Sequence, residues 1–242
     1  PIGAERTIEI PAPEYVKGKN DISLKVLKVN GADMSLSAST ACVALDGEGY
    51  ERKFVVEEGT GTWCGYCPRG IVGLEKMTQK YPDTFIGIAV HSDDEMMVES
   101  YKPFLSVFSN SYPNCIINRD PIFVLDPNAE YLEMCKDFWS EQRSHAKVAL
   151  TVEAMGASSL KVNASTTFLY DEANANYSLA FALLEDGIAG TQKNYFAGAP
   201  GTLEWWDEQG ETVEWTYEHT ARDIFSCYGI AGSVPTKVAA GK

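Results

Sequence analysis

Thr62-Trp63-Cys64-Gly65-Tyr66-Cys67-Pro68 is the stretch on which the reading of this 242-residue chain turns. Two cysteines separated by two residues are not unusual in themselves; their setting is what matters. Before them, Lys53 to Glu57 reads as a buried strand ending in acidic residues. After them, Ile71, Leu74, Met77 and Tyr81 recur at helical spacing until Pro82 stops the helix. A cysteine pair at a helix N-terminus meets unpaired backbone N–H groups and the positive end of the macrodipole, and both stabilise a thiolate. Cys64 is therefore expected to be the exposed nucleophile with a lowered pKa. Cys67, one turn in, is expected to be the buried resolving thiol that attacks a mixed disulfide. Trp63 offers a flat apolar flank to a bound peptide, and Tyr66 helps to shape the rim. Zinc binding would need a second ligand pair at similar spacing, and the chain has no other CxxC and no HxxxH. A static disulfide is the plain alternative.

Outward from this segment the periods alternate. Thr84 to Val90 is a buried strand, a helix is predicted near Met97 to Phe108, and Asn114 to Asn118 is another strand. Asp126-Pro127 opens a helix in which Tyr131, Cys135, Phe138 and Gln142 share a face. Strands alternating with helices imply an α/β layer structure over residues 47–146. On the N-terminal side, Ile22, Leu24 and Val26 alternate with polar residues, as do Met34, Leu36 and Ala38, with an Asn30-Gly31 turn between them. Residues 1–46 are too few to fold alone. They belong to a partial domain or pair with the C-terminal strands, which would leave the α/β unit as an insertion. From Val148 onward period two returns at Val148–Ala154, Leu160–Phe168, Tyr177–Leu183 and Val213–Tyr217, and Asn194 to Gly210 reads as a long aromatic-rich loop. Four such strands predict an all-β antiparallel sandwich over 147–242.

Composition narrows the function classes. With 20 Lys+Arg against 34 Asp+Glu the formal charge is −14, which argues against nonspecific nucleic-acid binding, and the 45% hydrophobic fraction is that of a folded chain. No stretch approaches the roughly 18 apolar residues of a membrane-spanning helix. The chain starts at Pro1 without a signal segment, which leaves export open. Six cysteines are too few for a disulfide scaffold. Cys42, Cys135 and Cys227 read as small buried hydrophobes. The three histidines His91, His145 and His219 show no ligand spacing, and Asp93-Asp94-Glu95 reads as a solvated helix start. Trp205-Trp206 covers a core or binds a sugar or protein.

WCGYC between a buried strand and a helix resembles the thioredoxin superfamily. The resemblance implies that Pro113, in Ser111-Tyr112-Pro113-Asn114-Cys115, is a cis-proline packed against the two sulfurs, exposing backbone edges for the substrate chain, with Tyr112 on the rim. The interval from Cys67 to Pro113 accommodates one βα unit. Members of the superfamily carry a buried carboxylate six residues before the first cysteine, a position held here by Glu58, which would move the proton of the resolving thiol. Glu57 is the alternate, because a one-residue slip reverses the face. Cys115 shares the face of Pro113 in a regular strand, as a third active-site thiol or a buried free cysteine. Gly65-Tyr66 replaces the Gly-Pro of thioredoxins, and these two positions tune the redox potential.

A closer resemblance is to the 28-kilodalton outer-membrane-protein-related family of Bacteroidetes. It is carried by Glu57 to Gly70, by Tyr112-Pro113 through Ile117-Asn118-Arg119, and by Glu218-His219-Thr220-Ala221-Arg222-Asp223. It implies a thioredoxin-like domain beside an immunoglobulin-like sandwich in the bacterial cell envelope, periplasmic or outer-membrane associated, often as a lipoprotein. The function expected on these grounds is thiol-disulfide exchange with protein thiols and disulfides. No metal or organic cofactor is needed, because the dithiol carries the two electrons, and the electrons would come from a membrane partner. The alternative of another class is a non-catalytic surface binding or assembly module on a vestigial scaffold.

Overall fold

The computed structural model describes residue 14 and residues 18–29, 32–44, 49–156 and 159–241. In chain order the strands and helices are β1 (Gly18–Val29), β2 (Ala32–Ala44), β3 (Tyr50–Glu51), β4 (Phe54–Thr60), α1 (Pro68–Lys80), β5 (Phe85–His91), α2 (Lys102–Phe108), β6 (Asn114–Ile117), β7 (Asp120–Leu125), α3 (Ala129–Ser140), β8 (Arg143–Ser144), β9 (Ala146–Ala154), β10 (Leu160–Phe168), β11 (Leu179–Glu185), β12 (Ile188–Lys193), β13 (Thr212–Tyr217) and β14 (Thr220–Ile230). They gather into two compact units. One holds residues 1–50, 145–173 and 237–242; the other holds 51–144 and 174–236.

The second unit is built on a mixed six-stranded sheet in the order β11-β14-β5-β4-β6-β7. β4 runs parallel to β5 and antiparallel to β6. Its near-continuous burial follows from packing on both faces. Phe54 and Val56 join Leu74, Met77, Cys115, Ile117, Leu132 and Trp139 beneath α1 and α3. On the opposite face Ile88, Val90 and Ile116 meet Tyr101, Phe104, Leu105 and Phe108 of the α2 region. The predicted helix near Met97 starts later, as a 3₁₀ turn at Glu99–Tyr101 followed by α2, whose first turn holds Pro103. α3 is capped by Asn128, whose side chain accepts from the Tyr131 N–H, and not by Asp126. The Asp126 carboxylate accepts from the Asn128 N–H instead and presents that cap.

The adjacent residues Glu57 and Glu58 point to opposite faces. Glu57 is neutralised within the α2 layer: Arg119 donates to it from Nε (2.8 Å) and Nη2 (2.7 Å), and the Tyr101 hydroxyl donates to the same carboxylate. Arg119 lies in the two-residue turn between β6 and β7, where it and Asn118 both have positive φ (57° and 49°), as a tight hairpin of this twist requires. Its guanidinium also stacks 4.2 Å from the centre of the Phe104 ring.

Of the strands after residue 146, β9 and β10 fall in the first unit and β11 to β14 in the second. β14 enters the central sheet beside β5, where the Ala89 N–H donates to the His219 carbonyl (2.8 Å). Ala221, Ile224 and Cys227 then complete the α2-side core. β12 and β13 pair with each other as a separate ribbon; Val213 of β13, with Trp206, packs against Val72 of α1. Period-two alternation marks a segment as a strand; it does not say which sheet edge the strand will join or whether its apolar face is covered, and Val148, Leu150 and Val152 of β9 are exposed. In the first unit β1 pairs with β2 and β9 with β10, both antiparallel, and the chain end returns through the bridges Phe168–Ala240 and Glu172–Val238. That unit draws on three stretches of the chain and the second unit on two, so the units alternate along the sequence. The predicted Asn30-Gly31 turn lies outside the described residues.

Breaking a buried ion pair leaves an uncompensated charge. Arg119→Met is expected to cost about 3–5 kcal/mol in urea unfolding, and adding Glu57→Gln is expected to recover part of it. A double variant no more stable than Arg119→Met would show that the charge on Glu57 is not what Arg119 neutralises.

Candidate functional site

β4 ends at Thr60, and the chain turns over Gly61 to Trp63 before α1 begins at Pro68. Cys64 and Cys67 are joined in a disulfide across this turn, with a Cα–Cα distance of 5.3 Å. The Cys67 N–H donates to the Cys64 carbonyl (3.1 Å), and the Cys67 carbonyl accepts from Gly70 (2.9 Å), so the pair forms the lead-in to the helix. Cys67 is wholly buried. Cys64 is only 5% exposed, where the sequence reading expected an open nucleophile.

The Tyr112–Pro113 peptide bond is cis and leads into β6. The rim residues sort into two aromatic pairs. Trp63 meets Tyr112 edge-on with ring centres 5.3 Å apart, which brings the lead-in turn and the proline loop together. Tyr66 meets Tyr195 edge-on at 5.1 Å.

Glu58 sits on the α1 face of β4, opposite Cys115 of β6. It is 1% exposed, and its Oε1 has no hydrogen-bond partner among the described residues. A Cβ on Gly70 would collide with its carboxylate, so glycine in the first turn of α1 is what lets the acid lie beneath the cysteine-bearing end of the helix. Burial, with a smaller contribution from the charge on Asp126, pushes its pKa well above the usual carboxylate value. Glu58, Thr60, Leu74, Ala89, His91 and Tyr217 line a cavity of about 20 Å³, enough for one water molecule. Burial also raises the Cys115 thiol well above its usual range, followed by the neighbouring Glu58.

Several residues that position the turn carried no signal in the sequence reading. Asp94, expected as part of a solvated acidic run, is buried against it: its carboxylate accepts from the Thr62 N–H (2.9 Å), from the Met96 N–H (2.9 Å) and pairs with His91 Nδ1 (2.7 Å). Burial works against the charge on Asp94, but these hydrogen bonds, His91 foremost, outweigh it and hold the pKa below the usual value. The Trp63 indole N–H donates to the Ser92 carbonyl (2.8 Å). Gln192, fully buried at the end of β12, donates to the Cys64 carbonyl (2.8 Å) and accepts from the Tyr217 hydroxyl (2.9 Å). Only the position of His91 at the end of a buried strand hinted at this network; Gln192 and Asp94 come from segments whose composition is that of surface.

No protein-family model matches the sequence, and no curated protein matches it. Among solved structures, it is similar to HBP35 of Porphyromonas gingivalis (TM-score 0.46, 15% identity, covering 78% of this chain and 62% of that one). It is also similar to protein AGR_C_4864 of Agrobacterium tumefaciens (TM-score 0.46, 17% identity, covering 78% of this chain and 79% of that one). The chain thus spans less than two thirds of the length of HBP35. Likeness at this level assigns neither a family nor an activity.

The raised pKa of Glu58 has a definite sign in stability. Between the ordinary carboxyl value of 4.5 and the raised folded value, the folded chain holds one proton more than the unfolded chain. Glu58 therefore makes stability fall as pH rises through that window. Glu58→Gln removes this slope, so its stability relative to the unsubstituted protein is expected to increase from about pH 4.5 upward, measured by urea unfolding at a series of pH values. A pH-independent difference would mean that Glu58 ionises as an ordinary carboxylate.

Proposed function

We propose that the second unit is a thioredoxin-like thiol-disulfide oxidoreductase working through Cys64 and Cys67. The observation that carries this reading is the meeting, at one end of the sheet, of a cysteine pair leading into α1, the Tyr112–Pro113 loop against Trp63, and a buried, unpaired Glu58 beneath the first turn. In the reduced protein Cys64 attacks a substrate disulfide; one substrate thiolate leaves and a mixed disulfide forms. Cys67, its proton taken by Glu58, attacks the Cys64 sulfur, frees the second substrate thiolate and closes the Cys64–Cys67 bond. The substrate gains two electrons and the dithiol loses them, to be restored by a thiol donor, a membrane partner in an envelope setting. Pro113 and Tyr112 offer the backbone edge to the substrate chain, and Trp63 and Tyr66 border it. A bacterial-envelope location, with the chain carried on or near the outer membrane as in lipoproteins, rests on the resemblance of Glu57–Gly70 and Glu218–Asp223 to the outer-membrane-protein-related family. Among the described residues no helix is long and apolar enough to cross a membrane.

One observation favours a second reading. Cys64 is 5% exposed, as expected of a static disulfide in a surface binding or assembly module whose working part lies elsewhere.

A glutathione redox titration of the pair, read by alkylation and peptide mass, separates the two. Cycling between about −270 and −120 mV is expected for a catalytic dithiol, whereas a pair still oxidised below about −300 mV would be structural. If the pair cycles, Cys64→Ser is expected to abolish turnover of a disulfide substrate. Glu58→Gln is expected to slow the resolving step by about 10²-fold or more, with the first attack little changed.

A further inference from the structure

The side of the disulfide facing Gly65 and Tyr66 is occupied by the chain itself. Lys193 and Tyr195, two residues apart as on one edge of a strand, donate their backbone N–H groups to the carbonyls of Thr62 and Gly65, each at 2.8 Å. The Tyr195 ring lies on Gly65 so closely that a Cβ there would collide with it, and Lys193 Nζ sits over the same ring at 5.2 Å. This segment is not a loose flap. Gln192 anchors one end to the Cys64 carbonyl, and Asn194, fully buried, donates to the carbonyls of Trp206 (2.7 Å) and Gly210 (3.0 Å). The opposite side is open: among the described residues the backbone N–H and carbonyl of Tyr112 meet no partner, and Ser111 beside it is exposed.

We infer that Gln192–Phe196 is a fixed wall that sets substrate specificity: it closes the Gly65–Tyr66 side, so that Cys64 reacts with disulfides carried on extended, flexible chain segments laid along Tyr112 and not with disulfides on the surface of folded domains. Two features force this choice. The backbone acceptors at Thr62 and Gly65 are already used by the chain's own strand, so a substrate cannot pair there. The wall's aromatic face, with Tyr195 54% exposed, stands beside a sulfur that is itself nearly covered, so an approaching convex surface meets Tyr195 before it meets Cys64. A single extended chain needs only the Tyr112 edge. This inference rests on the proposed exchange activity.

The test uses the reduced full chain and one chemical disulfide, a cysteine coupled to thionitrobenzoate, presented either on a short unstructured peptide or on the surface of folded ubiquitin carrying one cysteine. Attack by Cys64 on the cysteine sulfur breaks the disulfide and releases the coloured thionitrobenzoate with the electron pair. Cys67 then frees the carrier thiolate and closes the Cys64–Cys67 bond. With both rates divided by those of dithiothreitol on the same substrates, the unsubstituted protein is expected to favour the peptide by about tenfold or more. Tyr195→Ala removes the wall's ring and is expected to bring the ratio close to one, while Tyr195→Phe, which keeps the ring, preserves it. Gly65→Ala, which pushes the ring away from the other side, is expected to act like Tyr195→Ala. Equal rates on the two carriers in the unsubstituted protein, or a preference that survives Tyr195→Ala, would overturn the wall. Release from neither carrier, where dithiothreitol releases from both, would instead overturn the exchange activity beneath it.

Discussion

Two neighbouring carboxylates in the middle of β4, a strand buried on both faces, set the terms for the rest of the second unit. Charges cannot be left bare in such a place without a large desolvation cost, and pleating sends Glu57 and Glu58 to different layers. The α2 layer supplies a full set of donors: Arg119 twice, and Tyr101. Among the described residues the α1 layer supplies none for Glu58 Oε1, and burial pushes its pKa well above the usual carboxylate value. The same strand therefore carries a paired anion on one side and an acid of raised pKa on the other. The demand on Arg119 explains its presence at a positive φ, a conformation costly for a residue with a Cβ and kept because the surrounding contacts over-determine it.

The cysteine-bearing turn depends on contacts from three directions. Asp94 holds the Thr62 N–H, Ser92 holds the Trp63 indole, and Gln192 holds the Cys64 carbonyl. The Tyr217 hydroxyl donates to Gln192, and the Tyr217 ring meets His91 edge-on at 5.2 Å, so the residues that grip the turn also touch one another. Such a network fixes the turn that carries the two sulfurs. It also explains why the C-terminal strands are part of this unit: without β12 and β13 neither Gln192 nor Tyr217 would be there.

Much of the local structure was legible in the residues. β4, α1, β5 and β6 lie where alternation, helical spacing and Pro82 place them, because each is specified by neighbours within a few positions. Where the reading failed, the deciding contact was remote or the local signal was shared by two outcomes. Asp126-Pro127 has the residues of a helix start, yet Asn128, two residues after Asp126, does the capping. Asp93-Asp94-Glu95 looked like a solvated run, and acidity alone does not reveal that Asp94 folds back onto Thr62. The hairpin turn at Asn118-Arg119 has an Asn but no Gly, so its signal was weak; the second position is filled by an arginine that Glu57 requires.

By itself the sequence determined that a cysteine pair leads into a helix from a buried strand, which follows from local periodicity and from the geometry of a helix start. The choice of Glu58, with Glu57 as the alternate, came from the resemblance to the thioredoxin superfamily. Only the tertiary structure decided which carboxylate lies beneath α1, that β14 joins the central sheet, and that the chain's own segment at Gln192–Phe196 lies against the cysteine turn. Gln192 and Cys64 are 128 residues apart, and no propensity or spacing links residues at that distance. Their meeting follows from how strands choose sheet edges, which is settled by collective burial over the whole unit and not by any one segment.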